Sequence, residues 1–228
     1  MSPPTVLLFD IDGTLLTCGG AGRAAMERAF EALVGSRAVC DFSFGGNTDR
    51  GIARQGFLNA GREASEDEID QLVERYLAAL AEELPKSENY RVFPGVEDLL
   101  GALTPSAGLA IGIGTGNVEE GARAKLRQGG LDTHFAFGGF GCDHELRTKL
   151  VEAGATRGAS RLGVPRGDCR VVVIGDTPRD VSAARAIGAE CLVVKTGWSA
   201  IEDLEATEPD RLVNDLTDAS ALAFLLGR

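Results

Sequence analysis

The chain has 228 residues, of which 44% are hydrophobic and 25% are charged, and its formal net charge is −11. This length and composition are typical of one globular domain, with or without a smaller inserted module. Nucleic-acid-binding proteins usually carry a broad basic surface, so the acidic balance argues against that class. An acidic surface also repels anions at long range, so a site for a phosphate ester would need local positive charge.

The N-terminal segment and the cysteines bear on location. The chain passes from Met1-Ser-Pro-Pro4 straight into an apolar run, without the basic start and long apolar stretch of a signal peptide. No run of 18 apolar residues is present, so we expect no membrane partner. The five cysteines show no CxxC spacing, which argues against a zinc ribbon or a disulfide framework. We therefore expect a cytoplasmic protein with free thiols.

Short apolar runs typical of buried strands recur along the chain, and helical patterns separate most of them. The predicted strands are residues 5–9, 109–114, 135–137, 171–174, 191–194 and 212–213. The predicted helices between them are residues 119–128, 147–162 and 181–187. This alternation predicts an α/β fold, in which helices cover both faces of a parallel sheet.

Residues 19–90 depart from this alternation, since they show helical patterns and no strand. From Met26 to Leu33, apolar residues recur at i, i+3, i+4 and i+7. Ser65 and Glu68 form a capping-box pattern, and an apolar stripe follows from residue 69 to residue 84. We predict a helical cap at residues 18–90, entered through a glycine-rich segment that suits a hinge, and a core formed by residues 1–17 and 91–228.

The first polar motif follows the first predicted strand. Asp10 and Asp12 are two residues apart, so their side chains point to one side and can converge on one ligand. In open α/β sheets, ligands bind outside the carboxyl ends of the strands. A simple Asp-Gly turn is the alternative. An EF-hand calcium loop is excluded, because it requires Gly and Glu where this chain has Leu15 and Ala21.

The second motif, Gly-Ile-Gly-Thr-Gly-Asn at residues 112–117, also ends a predicted strand. The hydroxyl of Thr115, the amide of Asn117 and nearby backbone N–H groups can hold phosphate oxygens. A dinucleotide-binding loop would need a third glycine at the position of Asn117, so that interpretation fits poorly.

The third motif, at residues 175–180, places Asp176 at a strand tip and Asp180 in the first turn of the next helix. An acid in a first helical turn also suits the helix dipole, which is the alternative role of Asp180. Acids gathered at neighbouring strand tips would be costly without a cation. Mg²⁺ prefers one or two carboxylates together with waters and phosphate oxygens, so these residues predict a magnesium site.

The three motifs resemble, in order and spacing, motifs one, two and four of the haloacid dehalogenase (HAD) superfamily: Asp10-Ile-Asp12-Gly-Thr14, Thr115-Gly-Asn117 and Gly175-Asp176-Thr-Pro-Arg-Asp180. The helical insertion resembles the C1-type cap of the phosphoglycolate phosphatase-like branch. The resemblance implies a Rossmann-like core and Mg²⁺-dependent hydrolysis of a small phosphate monoester through an aspartyl-phosphate intermediate.

The resemblance also implies roles by position. Asp10 would be the nucleophile, and Asp12 would protonate the leaving oxygen and then activate water. Asp10, Asp176 and the backbone carbonyl of Asp12 would hold Mg²⁺. Asp180 would support these ligands from behind or serve as a further metal anchor, and Thr14 would also support them from behind.

The phosphate ligands implied in the same way are Thr115, Gly116, Asn117 and one further cation. The family places a Lys or Arg before a helix between motifs two and four, often in a Lys-Pro pair that this chain lacks. Arg147 and Lys149 are the candidates. Residues two apart on a helix do not share a face, so we expect one of them to serve, and Arg147 is favoured because it lies nearer the helix start.

The sequence leaves three alternative functions open. A sugar phosphomutase shares both acids of motif one. A metal-independent haloacid dehalogenase uses the same nucleophile but typically lacks the second acid, and a non-catalytic binding module is disfavoured by the intact acids. The expected partner is a small phosphorylated metabolite, for which Arg23 and Arg50 are candidate contacts in the cap. The sequence leaves the oligomeric state open.

Overall fold

The computed structural model describes residues 3–104 and 106–228. Its β-strands, in chain order, are β1 (Thr5–Phe9), β2 (Leu16–Cys18), β3 (Tyr90–Val92), β4 (Leu109–Gly114), β5 (Gly138–Gly139), β6 (Arg170–Gly175), β7 (Glu190–Val194) and β8 (Arg211–Val213). Its α-helices are α1 (Ala21–Val34), α2 (Asp49–Asn59), α3 (Glu66–Glu83), α4 (Val96–Leu103), α5 (Glu119–Gln128), α6 (Arg147–Leu162), α7 (Pro178–Ala186), α8 (Ile201–Ala206) and α9 (Ala219–Leu225).

Six parallel strands form the central sheet, in the order β5-β4-β1-β6-β7-β8. All five residues of β1 are buried, as a continuous apolar run in a parallel sheet predicts. Successive side chains of β1 point to opposite faces, so Leu7 and Phe9 join one hydrophobic core while Val6 and Leu8 join the other. The predicted α/β fold with a Rossmann-like parallel sheet is confirmed.

The direction in which the chain adds strands reverses at β1. β4 pairs with β1 on one side and β6 pairs with it on the other. Ligand sites of open α/β sheets lie outside the carboxyl ends of the strands at such a switch point. The loops after β1, β4 and β6 carry the three sequence motifs, so all three motifs meet at one edge of the sheet.

Two predicted element boundaries are wrong. The strand expected at residues 135–137 lies at Gly138–Gly139 instead. Phe135 and Phe137 supplied the apolar signal, but their side chains pack into the two separate cores, and the two glycines carry the strand pairing. The helix expected at residues 181–187 begins at Pro178, because Thr177 and Asp180 form a capping box and proline favours the first helical turn.

An antiparallel ribbon connects the core to the cap. β2 pairs with β3, with Leu16 opposite Val92 and Cys18 opposite Tyr90. The prediction that residues 19–90 contain no strand is therefore wrong at Tyr90, since a strand of three residues, none of them fully buried, gives little periodic signal. The proposed boundaries between core (1–17 and 91–228) and cap (18–90) fall inside this ribbon.

The cap is built from α1, α2 and α3. The rings of Phe30 and Phe57 meet edge to face, with 5.5 Å between centroids, and join α1 to α2. The predicted capping box is present, because Ser65 and Glu68 each accept a hydrogen bond from the backbone N–H of the other. The apolar stripe of α3 is buried, so this 18-residue helix is amphipathic and packs within the cap.

The cysteines and the helix compositions are in line with the sequence. All five cysteines are free thiols. Within residues 3–104 and 106–228, none of the helices is at once long enough and apolar enough to cross a bilayer.

Helix α6 lies unusually close to the edge strand β5. A Cβ atom added at Gly139 would lie 1.8 Å from the backbone oxygen of Leu150. Only a residue without a side chain allows this approach. Arg147 is the first residue of α6. The close contact at Gly139 therefore fixes the position of the Arg147 side chain at the edge of the sheet.

Replacing Gly139 with alanine is expected to lower the free energy of unfolding by about 2 kcal/mol or more, since a methyl group has no space against the α6 backbone. Gly101 is a matched control, because it is an exposed helical glycine with nothing within 4 Å of its Cβ position. Its replacement with alanine should raise stability by about 0.5–1 kcal/mol. Urea titrations followed by circular dichroism compare the two, and an unchanged midpoint for Gly139→Ala would contradict the close approach.

Candidate active site

A cavity of about 640 Å³ lies between the carboxyl edge of the sheet and the cap. Asp10, Thr115 and Asp176, which follow β1, β4 and β6, line its core side, and Tyr76 of α3 lines its cap side. Trp198 also lines the cavity but keeps 72% of its surface exposed, so it stands where the cavity opens to solvent. The three sequence motifs therefore share one site.

Asp10 is fixed by the sheet on one side and by Arg147 on the other. Its backbone N–H donates to the carbonyl of Ile174 at 2.8 Å, which extends the pairing of β1 with β6. Its buried carboxylate lies 2.7 Å from Arg147, measured from Oδ2 to Nη2. The same guanidinium pairs with Asp180, at 2.6 Å from Nη2 and 2.9 Å from Nε to Oδ1. One cation at the start of α6 thus bridges two buried carboxylates.

Asp180 uses both of its oxygens within the protein. While Oδ1 pairs with Arg147, Oδ2 accepts hydrogen bonds from the backbone N–H and the hydroxyl of Thr177, at 3.0 and 2.7 Å. The bond from the Thr177 N–H belongs to the capping box of α7. Asp180 therefore caps α7 and also pairs with Arg147, while its role toward a metal stays a prediction.

Asp176 is held by the loop that contains the first motif. The hydroxyl of Thr14 donates to its Oδ1 at 3.0 Å. Gly13 has a φ of 89°, and a Cβ atom at that position would lie 2.3 Å from Oδ2 of Asp176. The turn after Asp12 therefore requires glycine both for its backbone conformation and for the approach of this carboxylate. Thr14 thus contacts a predicted metal ligand, and its supporting role stays a prediction.

Three buried carboxylates form an acidic cluster. One oxygen each of Asp10, Asp176 and Asp180 lies within 4.8 Å of the others. Burial raises the pKa of Asp10 despite the charge of Arg147, and burial together with the charges of Asp180 and Asp10 raises the pKa of Asp176 well above its usual range. The cluster thus holds more negative charge than Arg147 compensates. Oxygen donors of this kind suit Mg²⁺, so the residues present fit the predicted ion.

The side chain of Asp12 lies outside this cluster. Its Oδ2 accepts hydrogen bonds from Nζ of Lys125 at 2.6 Å and from Nδ2 of Asn117 at 2.9 Å. Burial alone would raise the pKa of Asp12, but the charge and hydrogen bond of Lys125 and the hydrogen bond of Asn117 outweigh it and hold the pKa below its usual value. Metal binding by Asp12 stays a prediction for its backbone carbonyl alone.

Lys125 is a residue that the sequence reasoning missed. It lies on α5 and is 4% exposed, and its neighbours on the inward face of that helix include Ala122 and Leu126. A lysine at an inward helical position is rare unless it is paired. A lysine at an inward-facing position of the helix that follows the second motif is the sequence feature that could have identified Lys125.

The second motif joins the core to the cap. Nδ2 of Asn117 donates to Oγ1 of Thr115 at 2.8 Å, which links the two predicted phosphate ligands. The carbonyl of Gly116 accepts from the backbone N–H of Asp49 at 2.8 Å. A Cβ atom at Gly116 would lie 2.2 Å from the carbonyl oxygen of Asn47. The start of α2 in the cap therefore rests directly on the loop predicted to bind phosphate.

Asp49 is a buried acid of the cap at this contact. Its carboxylate accepts a hydrogen bond from the backbone N–H of Val118 at 2.8 Å. Burial raises the pKa of Asp49 to about 6, although the charge of Lys125 and the Val118 hydrogen bond act in the opposite direction. The preceding residue, Thr48, caps α2 by accepting a hydrogen bond from the N–H of Gly51.

The two candidates for the third family motif have different surroundings. Arg147 is buried against Asp10, whereas Lys149 is exposed to solvent and is not one of the described residues that line the cavity. Their separation of two residues turns them to different sides of α6. The geometry supports Arg147 as the phosphate-neutralising cation.

The two cap arginines singled out in the sequence also differ. Arg23 lines the cavity, but its guanidinium donates to the carbonyls of Cys40 and Phe42, at 2.8 and 2.7 Å. Arg50 forms ion pairs with Glu66 and Asp70. Arg50 is not among the described residues around the cavity, so its proposed contact with substrate has no geometric support.

Comparison with known proteins places the site in a family. The family model for haloacid dehalogenase-like hydrolases matches residues 4–188. A phosphoglycolate phosphatase of Xylella fastidiosa (strain Temecula1) is 33% identical over 218 residues, which cover 92% of this chain and 89% of that protein.

Solved structures share the fold. A hydrolase from Pseudomonas syringae has a TM-score of 0.68 and 24% identity, with 95% of this chain and 96% of that chain covered. CbbY from Rhodobacter sphaeroides, a variant in complex with xylulose 1,5-bisphosphate, has a TM-score of 0.71 and 18% identity, with the same coverage. The family model spans most of the chain and contains all three motifs, and the curated relative aligns over nearly its whole length. The chain therefore belongs to the haloacid dehalogenase-like hydrolase family, in its phosphoglycolate phosphatase-like branch.

Proposed function

We propose that this HAD-family phosphatase hydrolyses a small phosphate monoester in two steps, with Asp10 as nucleophile, Asp12 as proton donor and acceptor, and Mg²⁺ as cofactor. The observation that carries the proposal is the pair of carboxylates at the end of β1. Asp10 lies in an acidic cluster beside Arg147, while Asp12 faces the same cavity beside Lys125. Two carboxylates that reach one cavity beside different cations can serve as nucleophile and as proton-transfer group.

In the first step, a carboxylate oxygen of Asp10 attacks the phosphorus of the ester. The bond between phosphorus and the ester oxygen breaks, and the leaving alkoxide takes a proton from Asp12. The phosphoryl group is then bound to Asp10 as an acyl phosphate, and Asp12 is a carboxylate. Arg147 and the hydroxyl of Thr115 are the groups available to the phosphoryl oxygens, whereas the two side-chain N–H groups of Asn117 donate to Asp12 and Thr115.

In the second step, Asp12 takes a proton from a water molecule whose oxygen attacks the phosphorus. The bond between phosphorus and the Asp10 oxygen breaks, which releases inorganic phosphate and restores both side chains. Asp12 then carries the proton needed for the next cycle. A bound Mg²⁺, held by Asp10, Asp176 and the backbone carbonyl of Asp12, would offset negative charge on the phosphoryl oxygens.

The cap supports this chemistry by covering the site. Besides the contacts of Asp49 with the second motif, Arg54 of α2 pairs with Glu145 just before α6, at 2.5 Å. Arg179 donates to the carbonyl of Gly45 at 3.0 Å. A cap held at several points limits the access of bulk water and of large substrates. The substrate class is therefore a small phosphorylated metabolite, and the names of the relatives make phosphoglycolate the first compound to test.

The variant Asp10→Asn should retain the fold and lose at least about a thousandfold in turnover, because an amide is not a nucleophile toward phosphorus. Release of inorganic phosphate from p-nitrophenyl phosphate and from phosphoglycolate provides the measurement. Counting phosphate also separates hydrolysis from a phosphomutase reaction, which moves the group without releasing it. Near-normal activity in a well-folded Asp10→Asn protein would contradict the assignment of Asp10 as the nucleophile.

The two cations of α6 give a second test. Arg147→Ala should reduce kcat by roughly 10²-fold or more, since it removes the group that offsets charge beside Asp10. Lys149→Ala, two residues away on the exposed side, should leave kcat within about twofold. Steady-state kinetics on the same ester compare them, and the reverse ranking would assign the role to Lys149.

Removal of divalent metal with a chelator should stop turnover, and excess Mg²⁺ should restore it. Mg²⁺ should also raise the melting temperature, since an ion at 100 times its dissociation constant adds about 2.7 kcal/mol of stability. Asp176→Asn should lose most of this thermal shift, while a change at the exposed Asp203 on α8 should not. Full turnover in excess chelator would contradict the metal requirement.

A further inference from the structure

Lys125 is the buried cation of the site that the proposed reaction does not use. Its ammonium group donates to Oδ2 of Asp12 and to Oδ1 of Asn117, both at 2.6 Å. Asn117 in turn donates through Nδ2 to the same Oδ2 of Asp12, at 2.9 Å, and to Thr115. Lys125, Asn117 and Asp12 therefore close a ring of hydrogen bonds in which each side chain contacts the other two.

The ring is anchored from outside as well. The backbone carbonyl of Lys125 accepts a hydrogen bond from the hydroxyl of Tyr90 at 2.8 Å, so the hinge strand β3 holds this turn of α5. Tyr76 and Asp49 of the cap line the same cavity as Lys125. A side chain held at both ends presents its charge in one place, which suits a positioning role.

The two carboxylate oxygens of Asp12 differ in the hydrogen bonds that they accept. Oδ2 receives both strong hydrogen bonds, whereas the contact that Oδ1 makes with the described part of the chain is a weak one, with Sγ of Cys18 at 3.7 Å. The Asp12 side chain remains 33% exposed, while Lys125 behind it is only 5% exposed. The free oxygen is therefore the one that can meet a leaving group or a water molecule.

We propose that Lys125 is a positioning residue that fixes the carboxylate of Asp12, so that Oδ1 exchanges the proton in both half-reactions. The inference rests on the proposed function, because it requires Asp12 to act as proton donor and acceptor. Lys125 has no direct contact with phosphorus in this role. It acts through Asp12. Its removal should therefore lower the reaction rate by as much as a misplaced Asp12 carboxylate would.

The test uses the variant Lys125→Met, which keeps the length of the side chain, with Lys86→Met as an exposed control. With an alkyl phosphate, whose leaving group needs a proton, kcat should fall by about 10²-fold with KM within about threefold. With p-nitrophenyl phosphate, the leaving group needs no proton, so the first p-nitrophenol released should appear at nearly the wild-type rate. The steady state that follows should be slow, since the second step still requires Asp12 to activate water.

A double-mutant cycle decides whether the effect passes through Asp12. In an Asp12→Asn background, Lys125→Met should cause less than about a twofold further loss, because residues that act as a unit are not additive. Circular dichroism and the Mg²⁺-dependent thermal shift check that the fold and the metal site persist. If Lys125→Met does not fold, Lys125→Gln replaces it and should show the same dependence on the leaving group.

The outcomes separate the two proposals. A first release of p-nitrophenol slowed as much as the turnover of the alkyl phosphate, full additivity with Asp12→Asn, or a raised KM at constant kcat would overturn the role of Lys125 and leave the phosphatase reaction intact. A wild-type chain that releases no phosphate from any ester would overturn both.

Discussion

The structure depends on burying several like charges at one edge of a parallel sheet. Asp10, Asp176 and Asp180 lie within a few ångströms of one another and are almost wholly removed from solvent. Such a cluster is unfavourable unless cations and hydrogen-bond donors surround it. The chain supplies Arg147 from α6 and the hydroxyls of Thr14 and Thr177 from neighbouring loops. Each of these donors comes from a different segment, so the site exists only when the whole sheet has formed.

The same constraint explains why two carboxylates so close in sequence behave differently. Asp10 shares its surroundings with other acids, and burial raises its pKa. Asp12 turns toward Lys125 and Asn117, which lower its pKa. The protein thus provides a permanent cation for Asp12, while the cluster around Asp10 is left with excess negative charge that suits an exchangeable metal ion.

The cap continues the active site across the cavity. Asp49 and Asn47 meet the second motif at Gly116, where no side chain would fit between core and cap. The ribbon of β2 and β3 also contributes to the site, because Tyr90 of β3 contacts the backbone of Lys125. The position of the cap and the position of Asp12 are therefore linked through packed groups.

The amino-acid sequence by itself determined the parallel sheet, the helical insertion and the three acidic or phosphate-binding motifs, because apolar periodicity and strand-end residues are local features. It also narrowed the third-motif cation to Arg147 or Lys149. The sequence favoured Arg147 from its place at the helix start, and the tertiary structure adds that Arg147 is buried beside Asp10 while Lys149 is exposed, which depends on how closely α6 packs on β5 at Gly139. The partners of Lys125 and the ribbon strands β2 and β3 were beyond local reasoning. Lys125 joins the site through Asn117 and Asp12, which lie 8 and 113 positions away along the chain. A three-residue strand such as β3 is recognised only when its partner strand lies beside it.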